Sequence, residues 1–552
     1  MKIQIQLDEA RGWRRFESGP LTLWFKGYLN ERSPSQLADR LESLAAADWL
    51  DEAAQLDGHF ALVVSRGNKT FAALDRIASI PLFYGSDEKA HHLSSNARQL
   101  KEKLGLEKVD AEAALEFAMS GFTTGSKTLY EGLEALGAGE AVFFENGTAR
   151  RQRYALYNPK PEAAGNNPVP VQGLAQVTLG IFEKMLRGLD GRPIIIPLSA
   201  GLDSRLVAAV LKELAYDNVK CFSYGRRGNH EALGAQKVAK KLGYPWTFVE
   251  HTSSQQALTF ASEEMRQFEG FADAFNAVPF QQDFFAVGHL KASGYAPPDA
   301  VFVNGQSGDF ISGNHIPASF ALPFEKNDAA GRWPRLLDAL IAKHFDLWHV
   351  LKTPENLDHA RSALKDEIIS LAGGLGEPGD DFGLYEMSEL LNRQVKYVIA
   401  GQRTYEWYGF EWRLPLWGNA YLDFWEAAPL TAKLGQNLFR KMLEEKNWGG
   451  VWGGEWQFPK TIVPAWVRPL RFAAKVLHAP LGRDRWHRFE KNYFHWPTET
   501  VCNYAIAPYG RVAQDRRGHR NAISWHVDSD LRAKGLGFDG KPLKKTGEEK
   551  GA

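Results

Sequence analysis

The sequence predicts an α/β protein in two parts: an α+β first domain, then a doubly wound, mostly parallel sheet carrying many helices. Three observations point there. Residues 1 to about 155 hold short apolar runs of strand length, separated by turn signals such as Arg66-Gly67-Asn68. The segment Asn158 to Pro168 is dense in Pro, Gly and Asn and reads as a linker. After it strands and helices alternate, the pattern of βα units packed on a parallel sheet. A chain of 552 residues also exceeds what one hydrophobic core supports.

Taken in order, Lys2 to Leu7 alternates apolar and polar residues and predicts a strand, as do Leu21–Phe25, His59–Val64 and Thr70–Leu74. Helical spacing appears near 35–47 and 111–119. Beyond the linker the pattern predicts a helix near 171–187, strand 193–198, helix 203–215, strand 219–224, helix 230–242 and strand 246–250. From about 255 helical patterns dominate. The expected divisions are a first domain at 1–157, a linker at 158–168, a second domain at 169–535 and a loose basic tail at 536–552.

Composition excludes several classes. Sixty-six basic residues balance 66 acidic ones, so nothing draws the whole chain to nucleic acid or an anionic surface. Two cysteines, Cys221 and Cys502, cannot form a disulfide framework or a cysteine zinc site, and a reducing cytoplasm is the expected compartment. No run of about 18 apolar residues predicts membrane insertion. The stretch Arg468 to Arg488, basic and interleaved with Trp486 and His487, reads as a solvated helix face.

The most informative segment is Ile194 to Arg205. A β-branched strand ends in Leu198-Ser199-Ala200-Gly201-Leu202-Asp203-Ser204, and an apolar-periodic helix begins at once. Strand, small-residue loop and helix N-terminus make an anion site, with Gly201 allowing close approach and the two serine hydroxyls able to donate. Asp203 would repel a bare anion, which suggests a bridging Mg²⁺. No Lys-Ser or Lys-Thr follows the glycine, so this is not a Walker A loop. A second strand, Val301–Val303, runs into Asn304-Gly305-Gln306-Ser307-Gly308-Asp309, where Asp309 could give the same metal another carboxylate.

The first loop resembles the SGGxDS pyrophosphate loop of the ATP-pyrophosphatase superfamily, with Ala200 in place of one glycine. Together the two loops resemble the asparagine synthetase family. So do Phe222–Gly225 followed by Glu231 and Ala235, and Arg403 followed by Gly409–Leu416. Upstream, Gly27–Asn30, Leu56–Ala61 and Asp75–Tyr84 resemble that family's glutaminase-type domain, in the same order. The resemblance implies an N-terminal-nucleophile-hydrolase-like first domain and an ATP-pyrophosphatase second domain. It implies an ATP and pyrophosphate site at Leu198, Ser199, Ala200, Gly201, Leu202, Asp203, Ser204, Ser223, Tyr224, Gly225, Gly305 and Gln306, with Mg²⁺ on Asp203 and Asp309. Lys460, upstream of a Pro-x-Trp, is similar to the family's late lysine that stabilises charge on the adenylate.

The departures from the family are equally specific. Lys2 stands where the family places its nucleophilic cysteine, so a degenerate glutaminase is expected. Gln306 replaces a glutamate thought to help deprotonate the amine, and a neutral amide is no general base. Gln402 replaces an acid, and Gly418 stands where the family has an aspartate. The expected function is adenylation of a carboxylate and its capture by ammonia or an amine, on a small molecule such as a sugar uronate of bacterial surface polysaccharides. Asparagine synthesis, β-lactam or lasso-peptide cyclisation and a silent nucleotide-binding scaffold remain alternatives. Nucleic acid is not expected as a partner; a homodimer and a separate ammonia source stay open.

Overall fold

A computed structural model describes residues 2–160, 170–322 and 329–538. The first region is a layered sandwich. Its six-stranded antiparallel sheet runs in the order Thr148–Arg153, Glu140–Glu145, Lys69–Leu74, Gly58–Arg66, Leu21–Leu29, Arg14–Ser18. A four-stranded sheet lies against it, ordered Lys2–Gln6, Ala90–Ser94, Phe83–Ser86, Glu134–Ala135.

Strand periodicity assigns the layers. From Gly58–Arg66, residues Phe60, Leu62 and Val64 pack outward with the helices Pro34–Ser43 and Trp49–Ala54. Ala61 and Val63 face inward, towards Leu93 of the other sheet. On that sheet's far side Phe83 packs with Ala97 and Leu100 of helix Ala97–Leu104. The result is helix, sheet, sheet, helix, in agreement with the expected α+β first domain. The helix predicted near 35–47 is shorter. Ser33 closes a capping box with Gln36 at its start, and Leu44 turns extended at its end.

In the second region five strands are all parallel, in the order Trp246–Glu250, Val219–Gly225, Ile194–Pro197, Val301–Val303, Glu411–Arg413. The predicted strands and the helices Val171–Arg187, Leu202–Glu213 and His230–Leu242 are present. The chain works outward from Ile194–Pro197 in one direction, then returns to add Val301–Val303 on its other side. That makes a topological switch point between these two strands, and the crevice beyond their carboxyl ends is where open α/β sheets bind ligands. The loops 198–204 and 304–309 both leave there.

The two regions are tied by the buried ion pair of Lys26 Nζ with Glu406 at 2.7 Å, and by Arg76 with Asp423 at 2.5 Å. Most of the expected linker and basic tail fall outside the described residues. Among the described residues no helix is long and apolar enough to cross a membrane.

Candidate active site

The switch point brings the two predicted loops into direct contact. The Asp309 amide donates to Asp203 Oδ2 at 2.8 Å. Glycine makes that approach feasible. A Cβ on Gly305 would lie 2.7 Å from the Asp203 carbonyl carbon, and one on Gly308 would lie 2.8 Å from Asp203 Cγ. The spacing of small residues in 304–309 therefore reflects a backbone pressed against the first loop rather than a turn requirement.

The first loop satisfies its own donors. The Ser199 amide donates to Ser204 Oγ at 3.0 Å, and the Gly201 amide to Ser199 Oγ at 3.0 Å. The Ala200 amide donates to Glu231 Oε2 at 2.9 Å. Helix Leu202–Glu213 starts from Gly201, which has no side chain to cap it. An anion oxygen, here a carboxylate's, thus already sits on a loop amide beside an uncapped helix N-terminus, the arrangement that favours phosphate.

Burial and the neighbouring Asp309 push the Asp203 carboxyl up to about 8. Asp309 goes the other way. Burial opposes its charge, but His315 Nε2 lies 3.1 Å from Oδ2 and holds it below the usual range. His315 is in turn 2.5 Å from Glu389 Oε1 through Nδ1. Although buried, it is raised to about 9 by its two acidic partners. Two carboxylates that cannot both ionise comfortably fit a shared cation. Mg²⁺ accepts one or two protein carboxylates when phosphate oxygens complete its shell. Among the described residues no group of three or more His, Cys, Asp or Glu side chains is gathered to hold a metal, so any such ion here would depend on its ligand's oxygens.

The remaining predicted residues are placed as follows. Leu198 is buried, its amide bonded to Phe222 O and its carbonyl accepting from Ser223 Oγ at 2.7 Å. Tyr224 donates to Asp283 Oδ1, stacks on His251 at 5.1 Å and is followed by Gly225 at φ 120°. Gln306 accepts from Gln402 Nε2 at 2.7 Å, so two of the departures from the family meet in one contact. Lys460 is exposed and makes no hydrogen bond or ion pair among the described residues. A cavity of about 510 Å³, lined by Thr124, Glu367 and Lys396 among others, takes no residue of either loop into its lining.

Several residues escaped sequence reading. Arg205 donates to the carbonyls of Ala200, Val451 and Trp456, so the segment leading to Lys460 is fastened directly beside the loop it would serve. Its signal was a charge within the buried helical run Leu202–Leu211. Asp283 accepts from Tyr224 and, at 2.9 Å, from Tyr405, whose hydroxyl accepts from Asn304 Nδ2 at 3.2 Å. His315 and Glu389 gave no local signal, because their pairing spans 74 residues.

Two family models match the chain: a glutamine amidotransferase domain at residues 45–155 and asparagine synthase at residues 187–313. Each model covers under a quarter of the chain, so what they show is one segment similar to a glutamine amidotransferase domain and another similar to asparagine synthase. Among solved structures the chain is similar to glutamine phosphoribosylpyrophosphate amidotransferase from B. subtilis complexed with ADP and GMP. That match has 12% identity and a TM-score of 0.17, covering 53% of this chain and 63% of that one. It is also similar to an allosteric regulatory enzyme of purine biosynthesis, at 13% identity and a TM-score of 0.17, covering 54% of this chain and 58% of that one. The chain thus spans less than two thirds of both. No curated protein matches it.

Proposed function

We propose that this asparagine synthetase-like chain activates a small-molecule carboxylate as its adenylate, releases pyrophosphate, and lets ammonia or an amine capture the acyl group, without hydrolysing glutamine itself. The observation that carries the reading is the 2.8 Å contact between Asp309 and Asp203 at the switch point. It joins an anion-accepting loop to a pair of carboxylates. Pyrophosphate oxygens would exchange with Glu231 on the Ala200 amide and take the hydroxyls of Ser199 and Ser204. Mg²⁺ bound by Asp203 and Asp309 would supply neutralisation of the charge that develops on the leaving group. Arg205 holds 456–460 near the loop, from which Lys460 could reach the α-phosphate. The divisions 1–157, 158–168, 169–535 and 536–552 belong to the same proposal.

The absence of glutaminase chemistry is supported by the cysteines. Cys221 lies mid-strand and is fully buried, with its thiol pushed well up by burial; Cys502 is buried and raised to about 11. A thiolate nucleophile needs the reverse. Gln306 and Gln402 pair as neutral amides where the resembled family has acids, so the substrate should differ from aspartate. Sugar uronates are the first class to try.

Asp203→Asn tests the reading. ATP–pyrophosphate exchange in the presence of a competent carboxylate should fall at least a thousandfold, with thermal unfolding unchanged within a few degrees. Exchange retained in that variant overturns the assignment. Glutamate release from glutamine at the rate of AMP formation overturns the second half of the proposal.

A further inference from the structure

The function above makes no use of the basic stretch after Lys460, where the structure holds a helical hairpin. Helix Val467–His478 packs on helix Arg483–Tyr493 through its inner face. His478 meets Phe489 at 4.2 Å, Arg471 lies over Trp486 at 5.6 Å, and Arg471 pairs with Glu490. The outer face is the anomaly. Trp466, Leu470, Phe472, Val476, Leu477 and Leu481 are each between 48% and 74% exposed. Trp466, Leu470 and Leu477 follow the spacing of one helical stripe, Phe472 and Val476 the adjoining one. The helix is amphipathic with its apolar side turned to solvent and its partner helix on the other. A contiguous apolar patch of this kind on a folded protein marks an interaction surface.

Charge selects the occupant. Residues 466–493 carry seven Lys and Arg against two acids, in a chain whose total is balanced. Arg468 and Lys475 flank the apolar stripe, and Arg483, Arg485 and Arg488 stand exposed on the second helix. Large apolar side chains bordered by cations on a helix of this length suit the interface of a bilayer bearing anionic headgroups. A second copy of the chain would set the same cations against themselves across a two-fold contact. Nucleic acid would leave the leucines and phenylalanine unsatisfied.

We propose that the hairpin 466–493 seats this protein reversibly on an anionic lipid surface, lying in the interface rather than crossing it. The surface would begin six residues after Lys460, so the candidate site would face the membrane plane.

Co-sedimentation of the full chain with vesicles tests this. Vesicles of 30% phosphatidylglycerol in phosphatidylcholine should retain the protein at low salt, and pure phosphatidylcholine should retain at least tenfold less. Arg468→Glu with Lys475→Glu should weaken retention at least tenfold, and so should Phe472→Ser with Leu477→Ser. Because all four side chains are exposed, both variants should unfold at the wild-type temperature. No retention on phosphatidylglycerol vesicles overturns the proposal. So does sedimentation velocity showing a dimer that Phe472→Ser dissociates while vesicles bind nothing, and so does duplex DNA binding without vesicle binding.

Discussion

On one side of the switch point, the loop after Ile194–Pro197 is built almost wholly from backbone and hydroxyl groups, and Gly305 and Gly308 of the facing loop let its backbone press against Asp203, since a Cβ on either would lie under 3 Å from that residue. On the other, the contacts around Gln306 are made by side chains: Gln402 Nε2 donates to Gln306 Oε1, a neutral amide pair, and Ser307 Oγ donates to Gln394 Oε1. The two sides are coupled by Asp283, which accepts from Tyr224 on the nucleotide side and from Tyr405 on the acceptor side. A backbone-built anion site tolerates little sequence change, because its donors are peptide groups and its clearances are set by missing Cβ atoms. A side-chain-built acceptor site can be rewritten residue by residue. On the proposed function, that difference would let a chain keep carboxylate activation while its acceptor side changes.

The harshest way to break the comparison is on the backbone side. Gly308→Ala would drive a Cβ to 2.8 Å from Asp203 Cγ and from Leu416 Cδ1. The neighbours are the Asp203 carboxylate and a fully buried leucine, so the strain should displace Asp203 or cost about 1–3 kcal/mol of stability. Pyrophosphate exchange should drop about a hundredfold, since a displacement near 1 Å costs that much in positioned chemistry. Wild-type exchange in a fully stable Gly308→Ala protein would show that the close approach is not used.

The acceptor side should behave oppositely. Gln306→Glu places a carboxylate where Gln402 Nε2 already donates, so it should fold normally. Exchange should stay within about twofold, while the amine-dependent step changes by about tenfold or more, the scale of a repositioned general base. Measuring exchange and amide formation on the same preparation separates the two. A parallel fall in both would mean that the sides are not independent.

What was legible in the sequence follows the same division. The parallel strands, their helices and both loops could be read, because β-branched runs and small-residue loops are local signals. The strands Phe83–Ser86, Ala90–Ser94, Glu140–Glu145 and Thr148–Arg153 were not singled out, being polar in part and stabilised by pairing with distant neighbours. In the site, Asp203 and Asp309 stood out as lone acids in small-residue loops. His315, Glu389 and Asp283 did not: Glu389 meets His315 across 74 residues, and Asp283 meets Tyr224 across 59 and Tyr405 across 122. The linker reading rests on residues mostly outside the described ones, and Lys460 stays without a contact to test it.

The mildest probe concerns the nucleotide-side aromatic wall. His251 stacks on Tyr224, and its Nδ1 lies 3.0 Å from Val501 O, which can only accept, so Nδ1 carries the proton. Burial holds the imidazole down to about 4, against an ordinary 6.5, with the Val501 contact opposing. A group whose folded value is depressed favours the neutral form. Its contribution is complete above pH 6.5 and is lost as pH falls through 4. Between pH 7 and 5 the loss is about 2 kcal/mol. Urea unfolding of His251→Gln, whose amide can still donate to Val501 O but does not titrate, should therefore show a stability difference between pH 7 and pH 5 smaller than wild type by about that amount. An unchanged difference would mean that His251 is not held neutral and that the stack on Tyr224 contributes nothing to the pH response of this side.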